Sequence, residues 1–155
     1  MTVTIGEIAP DFAVAGDHGE TMRLGDYAGR KLVVYFYPKD DTPGCTREAI
    51  DFTAMADAFA AADTTVVGIS KDSAAAHAKF RSKHALGVLL GADADGSMVE
   101  AYGVWTEKSM YGKKYMGIER ATFLIGRDAR VVQAWHKVKV PGHADAVLMA
   151  ARALA

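Results

Sequence analysis

Leu32-Val-Val-Tyr-Phe-Tyr37 runs without a break into Pro38-Lys-Asp-Asp-Thr-Pro-Gly-Cys-Thr46, and the reading of this stretch decides the fold. Six consecutive apolar residues, mostly β-branched or aromatic, predict a central strand buried on both faces, because a half-exposed strand would alternate. The polar loop after Tyr37 ends at Thr42-Pro43-Gly44, and an alanine-rich helical pattern follows from about Pro43 to Ala62. Phe52, Met55, Ala56 and Phe59 recur on one face of that helix, with Asp51 and Asp57 off it. The only cysteine of the 155 residues, Cys45, stands at the junction of strand and helix.

Outward from this unit the chain continues to alternate. Thr65–Ser70 reads as a second buried strand, Ser73–His84 as a helix with Ala76 and Phe80 facing inward, and Val88–Gly91 as a third strand. Asp93-Ala-Asp-Gly96 resembles half a calcium loop, but Gly91 and Tyr102 stand where ligands are needed, so a turn followed by a capping box, Ser97 with Glu100, is expected. Residues 104–119 form a loop or ribbon rich in Gly, Lys and Tyr. Arg120–Ile125 and Arg130–Trp135 predict an antiparallel pair turning at Gly126–Ala129. His143–Leu154 closes the chain as a helix with Val147, Leu148, Ala151 and Leu154 inward. Before the central strand, Pro10–Val14 and Thr21–Leu24 predict a hairpin turning at Gly16–Gly19.

A β-α-β half followed by a β-β-α half predicts an α/β domain over residues 1–155. Its arrangement is thioredoxin-like, a central mixed sheet flanked by helices on both faces with an N-terminal β-hairpin extension. No internal repeat or linker interrupts it.

Composition narrows the function. The formal net charge is −1, which argues against nucleic acid or an anionic membrane as partner. No apolar run approaches the ~20 residues that span a bilayer, and the N-terminus has no signal-peptide pattern. A lone cysteine excludes an internal disulfide and suits a reducing compartment, so a cytoplasmic location is expected. The five histidines, His18, His77, His84, His136 and His143, form no metal-ligand spacing, and no metal or cofactor is expected. His77 and His84 read as helix-surface residues. Gly112-Lys113 lacks the rest of a phosphate loop.

The junction itself is suited to nucleophilic chemistry. Thr42 is a good N-cap and Pro43 suits the first helical position, which puts Cys45 in the first turn. Free amides and the positive end of the helix dipole favour thiolate there, and thiolate is the nucleophile. Gly44 allows backbone and substrate to approach closely. The charged neighbours Lys39, Asp40, Asp41, Arg47 and Glu48 argue against an inert, buried thiol.

Pro38-Lys-Asp-Asp-Thr42-Pro-Gly-Cys45 resembles the peroxiredoxin signature P-x-x-x-T-x-x-C, and continued to Thr46-Arg-Glu48 it is similar to the bacterioferritin-comigratory-protein (PrxQ) branch. Ala9–Phe12, Tyr102–Trp105, Tyr111–Gly117, Glu119–Ile125 and Lys137–His143 extend the resemblance over nearly the whole chain. The resemblance implies a thioredoxin-like AhpC/TSA-type domain and a thiol-dependent peroxidase acting on hydrogen peroxide and organic hydroperoxides. Cys45 would be the peroxidatic nucleophile, oxidised to a sulfenic acid. Thr42 and the Cys45 amide would hold the peroxide, Pro38 would pack over the thiolate, and Arg120 would supply a fixed positive charge. Pro43, Gly44 and Glu48 would line the substrate position, with Glu48 either orienting first-turn groups or simply complementing the helix dipole.

One departure matters. Much of this branch has a resolving cysteine five positions after the peroxidatic one; here that position is Ile50. The resemblance then implies a one-cysteine enzyme, resolved by an external thiol, either thioredoxin or glutaredoxin with glutathione, or by a second chain. A monomer or weak homodimer is expected. Two other readings stay open at this stage. One is a redox sensor or chaperone-like binding protein switched by Cys45 oxidation, and the other a silent thioredoxin-fold module. Lys108, Lys113 and Lys114 with Tyr111 and Tyr115 suit either an acidic partner or a solvated loop, and Trp105 and Trp135 either core or a substrate mouth.

Overall fold

The computed structural model describes residues 3–155. Nine strands and five helices follow in the order β1 (Ala13–Gly16), β2 (Thr21–Arg23), β3 (Lys31–Phe36), α1 (Pro43–Ala54), α2 (Ala56–Ala61), β4 (Thr64–Ser70), α3 (Ala74–His84), β5 (Leu89–Ala92), α4 (Ser97–Ala101), β6 (Trp105–Met110), β7 (Lys113–Ile118), β8 (Ala121–Ile125), β9 (Val131–Trp135) and α5 (His143–Ala153). Seven strands make one sheet in the order β2-β1-β5-β4-β3-β8-β9, while β6 and β7 form a separate two-stranded ribbon. β3, β4 and β5 are parallel; β8 joins β3 antiparallel on one side, and the N-terminal hairpin joins β5 antiparallel on the other.

β3 is buried along its full length. Leu32, Val34 and Phe36 point into one core cluster, with Met98, Val99 and Tyr102 of the α4 region. Val33, Tyr35 and Tyr37 point into the other, with Phe52 of α1, Phe59 of α2, Phe80 of α3 and Val147, Leu148 and Ala151 of α5. The unbroken apolar run therefore serves two cores at once, which is why it does not alternate. Lys31, at the start of β3, is buried and its Nζ donates to the carbonyls of Ala151 (2.6 Å) and Leu154 (2.9 Å), closing the C-terminal end of α5. Tyr35 stacks on Phe52 at 4.7 Å, and across the sheet Gly68 makes room for its ring: a Cβ there would lie 2.6 Å from the Tyr35 hydroxyl oxygen.

Several expectations are corrected. The helix expected over 43–62 breaks at Met55, whose φ of −103° and ψ of 10° leave helical geometry. In a straight helix Phe52 and Phe59 would lie about 10 Å apart along the axis; the break brings their rings to 5.9 Å. The Ser97–Glu100 capping box does not form. Asp93 instead accepts from the amides of Met98 (3.2 Å) and Val99 (2.8 Å), and Asp95 from that of Ser97. The inward residues of α3 are His77 and Phe80, not Ala76, which is half-buried.

His77 is the largest correction: expected on the surface, it is 0% exposed. Its Nδ1 lies 2.7 Å from Asp40 Oδ2 and its Nε2 2.9 Å from the Gly91 carbonyl. A carboxylate and a carbonyl both accept hydrogen bonds, so this setting favours the imidazolium, which donates from both ring nitrogens. Tyr37 donates to the other Asp40 oxygen (2.6 Å), and the Asp40 amide donates to Asp72 (2.8 Å). The next residue, Asp41, takes a left-handed φ of 59° and pairs with Lys83 and His84 of α3. The loop between β3 and α1 is thus tied to α3 by two adjacent aspartates.

Burial pushes the His77 imidazole down, but the hydrogen bond and charge of Asp40 outweigh it, and the group sits above its usual 6.5. A raised pKa in the folded state contributes stability that is present in full below the unfolded value and is lost as pH rises through the folded one. Urea unfolding of the wild type across about pH 6 to 9 should show that decline. His77→Leu should lack the decline and lose on the order of 3 kcal/mol at the acid end, because Asp40 loses its buried partner.

Candidate active site

Cys45 is the third residue of α1, whose N-cap is Thr42 and whose first position is Pro43. The Thr42 hydroxyl does not cap the helix as expected; it turns back and donates to the Lys39 carbonyl at 2.8 Å. The first helical backbone bond runs from the Thr46 amide to the Thr42 carbonyl (2.8 Å), so the first-turn amides before it remain open to an anion.

Arg120 arrives from the neighbouring strand, immediately before β8. Ala121 pairs with Phe36 in the β3–β8 register, so Arg120 lies one step further, beside the end of β3 where the motif loop begins. Its Nη2 donates to Cys45 Sγ at 3.2 Å and its Nη1 to Glu48 Oε1 at 2.7 Å. The expected pairing of Cys45 with Arg120, residues far apart in sequence, is therefore present. Gly44 allows it: a Cβ there would come within 3.2 Å of Arg120 Nη2.

The setting is drier than the sequence suggests. Cys45 is 2% exposed and packs within the same cluster as Tyr35, Tyr37 and Phe52. Burial alone is thus no guide to reactivity; the guanidinium on the sulfur is what distinguishes this thiol from an inert core cysteine. Glu48 is 1% exposed and its Oε2 has no hydrogen-bond partner. Burial raises its carboxyl to about 7 despite the opposing pull of Arg120. Arg120 thus bridges the Cys45 sulfur and a carboxyl that burial makes easier to protonate near neutrality. Of the two roles open for Glu48 in the sequence, the structure gives it contact with Arg120.

Pro38 stands two residues beyond the end of β3 and is exposed, as are Pro43 and Gly44, while Thr42 is half-buried. Ile50, at the position of the missing second cysteine, is 37% exposed on α1.

Two buried groups near this centre carried no signal in the sequence. Tyr35 has a fully buried hydroxyl without a partner, and burial followed by the charge of Glu48 holds it well above the ordinary tyrosine range. His143, at the start of α5, lies 2.8 Å from the Thr122 hydroxyl through Nε2. Burial, then the charge of Arg120, lowers it to about 4, so it is neutral at pH 7. Tyr35 feels the charges of Glu48 and Cys45, and His143 that of Arg120.

A thioredoxin-like sheet with one helix-start thiol held by a remote arginine defines a class of thiol enzymes. A model of the AhpC/TSA family matches residues 5–134, and the chain belongs to that family. Peroxiredoxin Bcp of Bacillus subtilis (strain 168) is 51% identical over 143 residues, 92% of this chain and 91% of that protein. A solved structure of Xylella fastidiosa PrxQ has a TM-score of 0.94 and 38% identity, covering 99% of this chain and 98% of its own. A structure concerned with the alkyl peroxide reduction activity of the Xanthomonas campestris bacterioferritin comigratory protein has a TM-score of 0.88 and 46% identity, covering 92% of this chain and 90% of its own. Within its family the chain is a peroxiredoxin of the Bcp/PrxQ branch that lacks a second cysteine.

Arg120→Lys keeps the charge but cannot bridge sulfur and carboxylate with two fixed donors. Stopped-flow oxidation of Cys45 by hydrogen peroxide should slow about 100-fold, the cost of removing one aimed donor. Glu48→Gln retains an acceptor for Arg120 and deletes the ionisation; the pH–rate profile of Cys45 oxidation should lose its inflection near about 7. An unchanged profile would remove Glu48 from the site.

Proposed function

We propose that this chain is a one-cysteine, thiol-dependent peroxidase that reduces hydrogen peroxide and organic hydroperoxides. The observation that carries the reading is the 3.2 Å contact between Arg120 Nη2 and Cys45 Sγ at the open end of α1. A core cysteine needs no guanidinium, and a simple redox switch needs no remote cation positioned through a strand register.

In the first half-reaction the Cys45 thiolate attacks one oxygen of the peroxide. A sulfur–oxygen bond forms, the oxygen–oxygen bond breaks, and the departing alkoxide or hydroxide takes a proton to leave as alcohol or water. Cys45 becomes a sulfenic acid. Thr42 and the first-turn amides hold the peroxide, and Arg120 stabilises charge as it moves from sulfur to the leaving oxygen. Pro38, Pro43 and Gly44 border the approach. Glu48 positions Arg120 and does not touch the reacting atoms.

The second half-reaction needs thiols from outside, since no other cysteine exists in the chain. One external thiol displaces water from the sulfenic acid to give a mixed disulfide. A second releases Cys45 and leaves with the first as a disulfide. Thioredoxin and glutaredoxin with glutathione are the candidate reductants, acting on a monomer or weak homodimer in the cytoplasm. Among the described residues no helix is long and apolar enough to cross a membrane.

Peroxide consumption is to be measured with the thioredoxin and the glutaredoxin–glutathione systems supplied separately. At least one should support turnover, and Cys45→Ser should abolish it. Turnover retained by that variant would sink the assignment, and failure of both systems with the wild type would favour the sensor reading.

A further inference from the structure

His77 joins two parts of the molecule that the reaction above leaves unconnected. Its Nε2 lies 2.9 Å from the carbonyl of Gly91 in β5. That carbonyl is firmly placed. Gly91 pairs with Ile69 on one side and Gly16 on the other, and a Cβ there would come within 2.6 Å of Ile69 Cδ1 and 2.9 Å of Val14 Cγ2. The other ring nitrogen, Nδ1, lies 2.7 Å from Asp40 Oδ2. The ring is fully buried. It runs as a strut from the interior of the sheet to the loop between β3 and α1.

The loop passes that position on to the site. Asp40 has two further anchors: Tyr37 donates to its Oδ1, and its amide donates to Asp72. Both anchors stand just beyond the ends of β3 and β4, so the His77 tie alone reaches across to β5. Lys39, the residue before Asp40, accepts the Thr42 hydroxyl proton through its carbonyl at 2.8 Å. Thr42 is the N-cap of α1, and its carbonyl receives the Thr46 amide at 2.8 Å. From His77 through Asp40, Lys39 and Thr42 to the turn that bears Cys45, every step is a hydrogen bond or one peptide unit. A shift of the Asp40 carboxylate would move the carbonyl that aims the Thr42 hydroxyl.

We propose that His77 is a positioning residue for the peroxide reaction: through Asp40 it sets where the Thr42 hydroxyl and the first-turn amides of α1 stand when the hydroperoxide arrives. It touches neither the thiol nor the peroxide. The assignment rests on the peroxidase reading. Losing the contact with Asp40 leaves Arg120 on the sulfur, held there by the register of β8 on β3, so the loss falls on peroxide orientation rather than on thiolate.

The experiment compares two reagents on the same thiol. Hydrogen peroxide needs the oriented pocket, whereas iodoacetamide needs only the thiolate. The ratio of their second-order rate constants with Cys45 cancels changes in thiolate content and reads orientation. The amide nitrogen of asparagine stands where Nδ1 stands in histidine, and that of glutamine where Nε2 stands. His77→Asn therefore keeps the donor to Asp40, while His77→Gln places its donor at Gly91. In protein shown to be folded by circular dichroism, His77→Gln should lower the peroxide-to-iodoacetamide ratio about 10-fold, within the roughly 100-fold that a 1 Å misplacement costs. His77→Asn should retain most of the wild-type ratio. Asp40→Asn keeps the shape of the carboxylate and should lower the ratio too. Adding His77→Gln to it should lower the ratio no further, because both changes break one contact. Equal ratios in His77→Asn and His77→Gln, or losses that add in the double variant, overturn the proposal. So does an unchanged ratio in Asp40→Asn, which remains the test if the substitutions at His77 do not fold. A wild type that iodoacetamide alkylates but peroxide leaves unoxidised would overturn the peroxidase reading instead.

Discussion

The structure depends on one guanidinium serving two acids. Arg120 comes to the thiol through the register of β8 on β3, and it reaches Glu48 through the helix that the thiol begins. A slip of one residue in that register would send Arg120 to the opposite face of the sheet. The apolar content of β3 is therefore more than core. By burying residues on both faces it fixes the register, and the register fixes where the cation stands. Gly44 completes the arrangement by leaving the guanidinium room beside the helix.

A second constraint holds the loop in which the nucleophile begins. Loops are ordinarily the mobile part of a site, yet the Asp40 carboxylate is bound by His77 and Tyr37 and its amide donates a hydrogen bond to Asp72, while Asp41 is held by Lys83 and His84. Most of these partners come from α3, a helix that contributes nothing to the chemistry. The ionic tie between Asp40 and His77 is buried, so its benefit lies less in net stability than in specifying one loop conformation over others.

Much of this was legible in the chain. The unbroken apolar run at Leu32–Tyr37 gave the double-faced strand, and the alternation of strands and helices gave the thioredoxin-like sheet. Thr42-Pro43 gave the helix start, hence the position of Cys45. What escaped was whatever depends on partners far away in sequence. His77 looks like any polar residue on an alanine-rich helix until Asp40 is seen beneath it. Thr42 was expected to cap its helix because Thr commonly does; nothing local announces that its hydroxyl prefers the Lys39 carbonyl. The break at Met55 has neither proline nor glycine to mark it and serves the contact between Phe52 and Phe59. Glu48 left two roles open because its burial is a property of the packed core, not of its neighbours in sequence.

The N-terminal hairpin has a consequence for how copies of this protein meet. By pairing β1 with β5 it covers the parallel strands, leaving three-residue β2 at that margin. At the other margin the N-terminal segment lies along the start of β9, with the Gly6 amide on the Val131 carbonyl (2.8 Å) and the Val131 amide on the Glu7 carbonyl (2.9 Å). The hairpin border thus ends in a three-residue strand and the other border is covered at Val131, which shortens the unpaired backbone through which β-rich proteins add strands to one another. What backbone the molecule still offers for strand addition lies along the rest of β9 and the edges of the β6–β7 ribbon, away from the parallel strands at its centre.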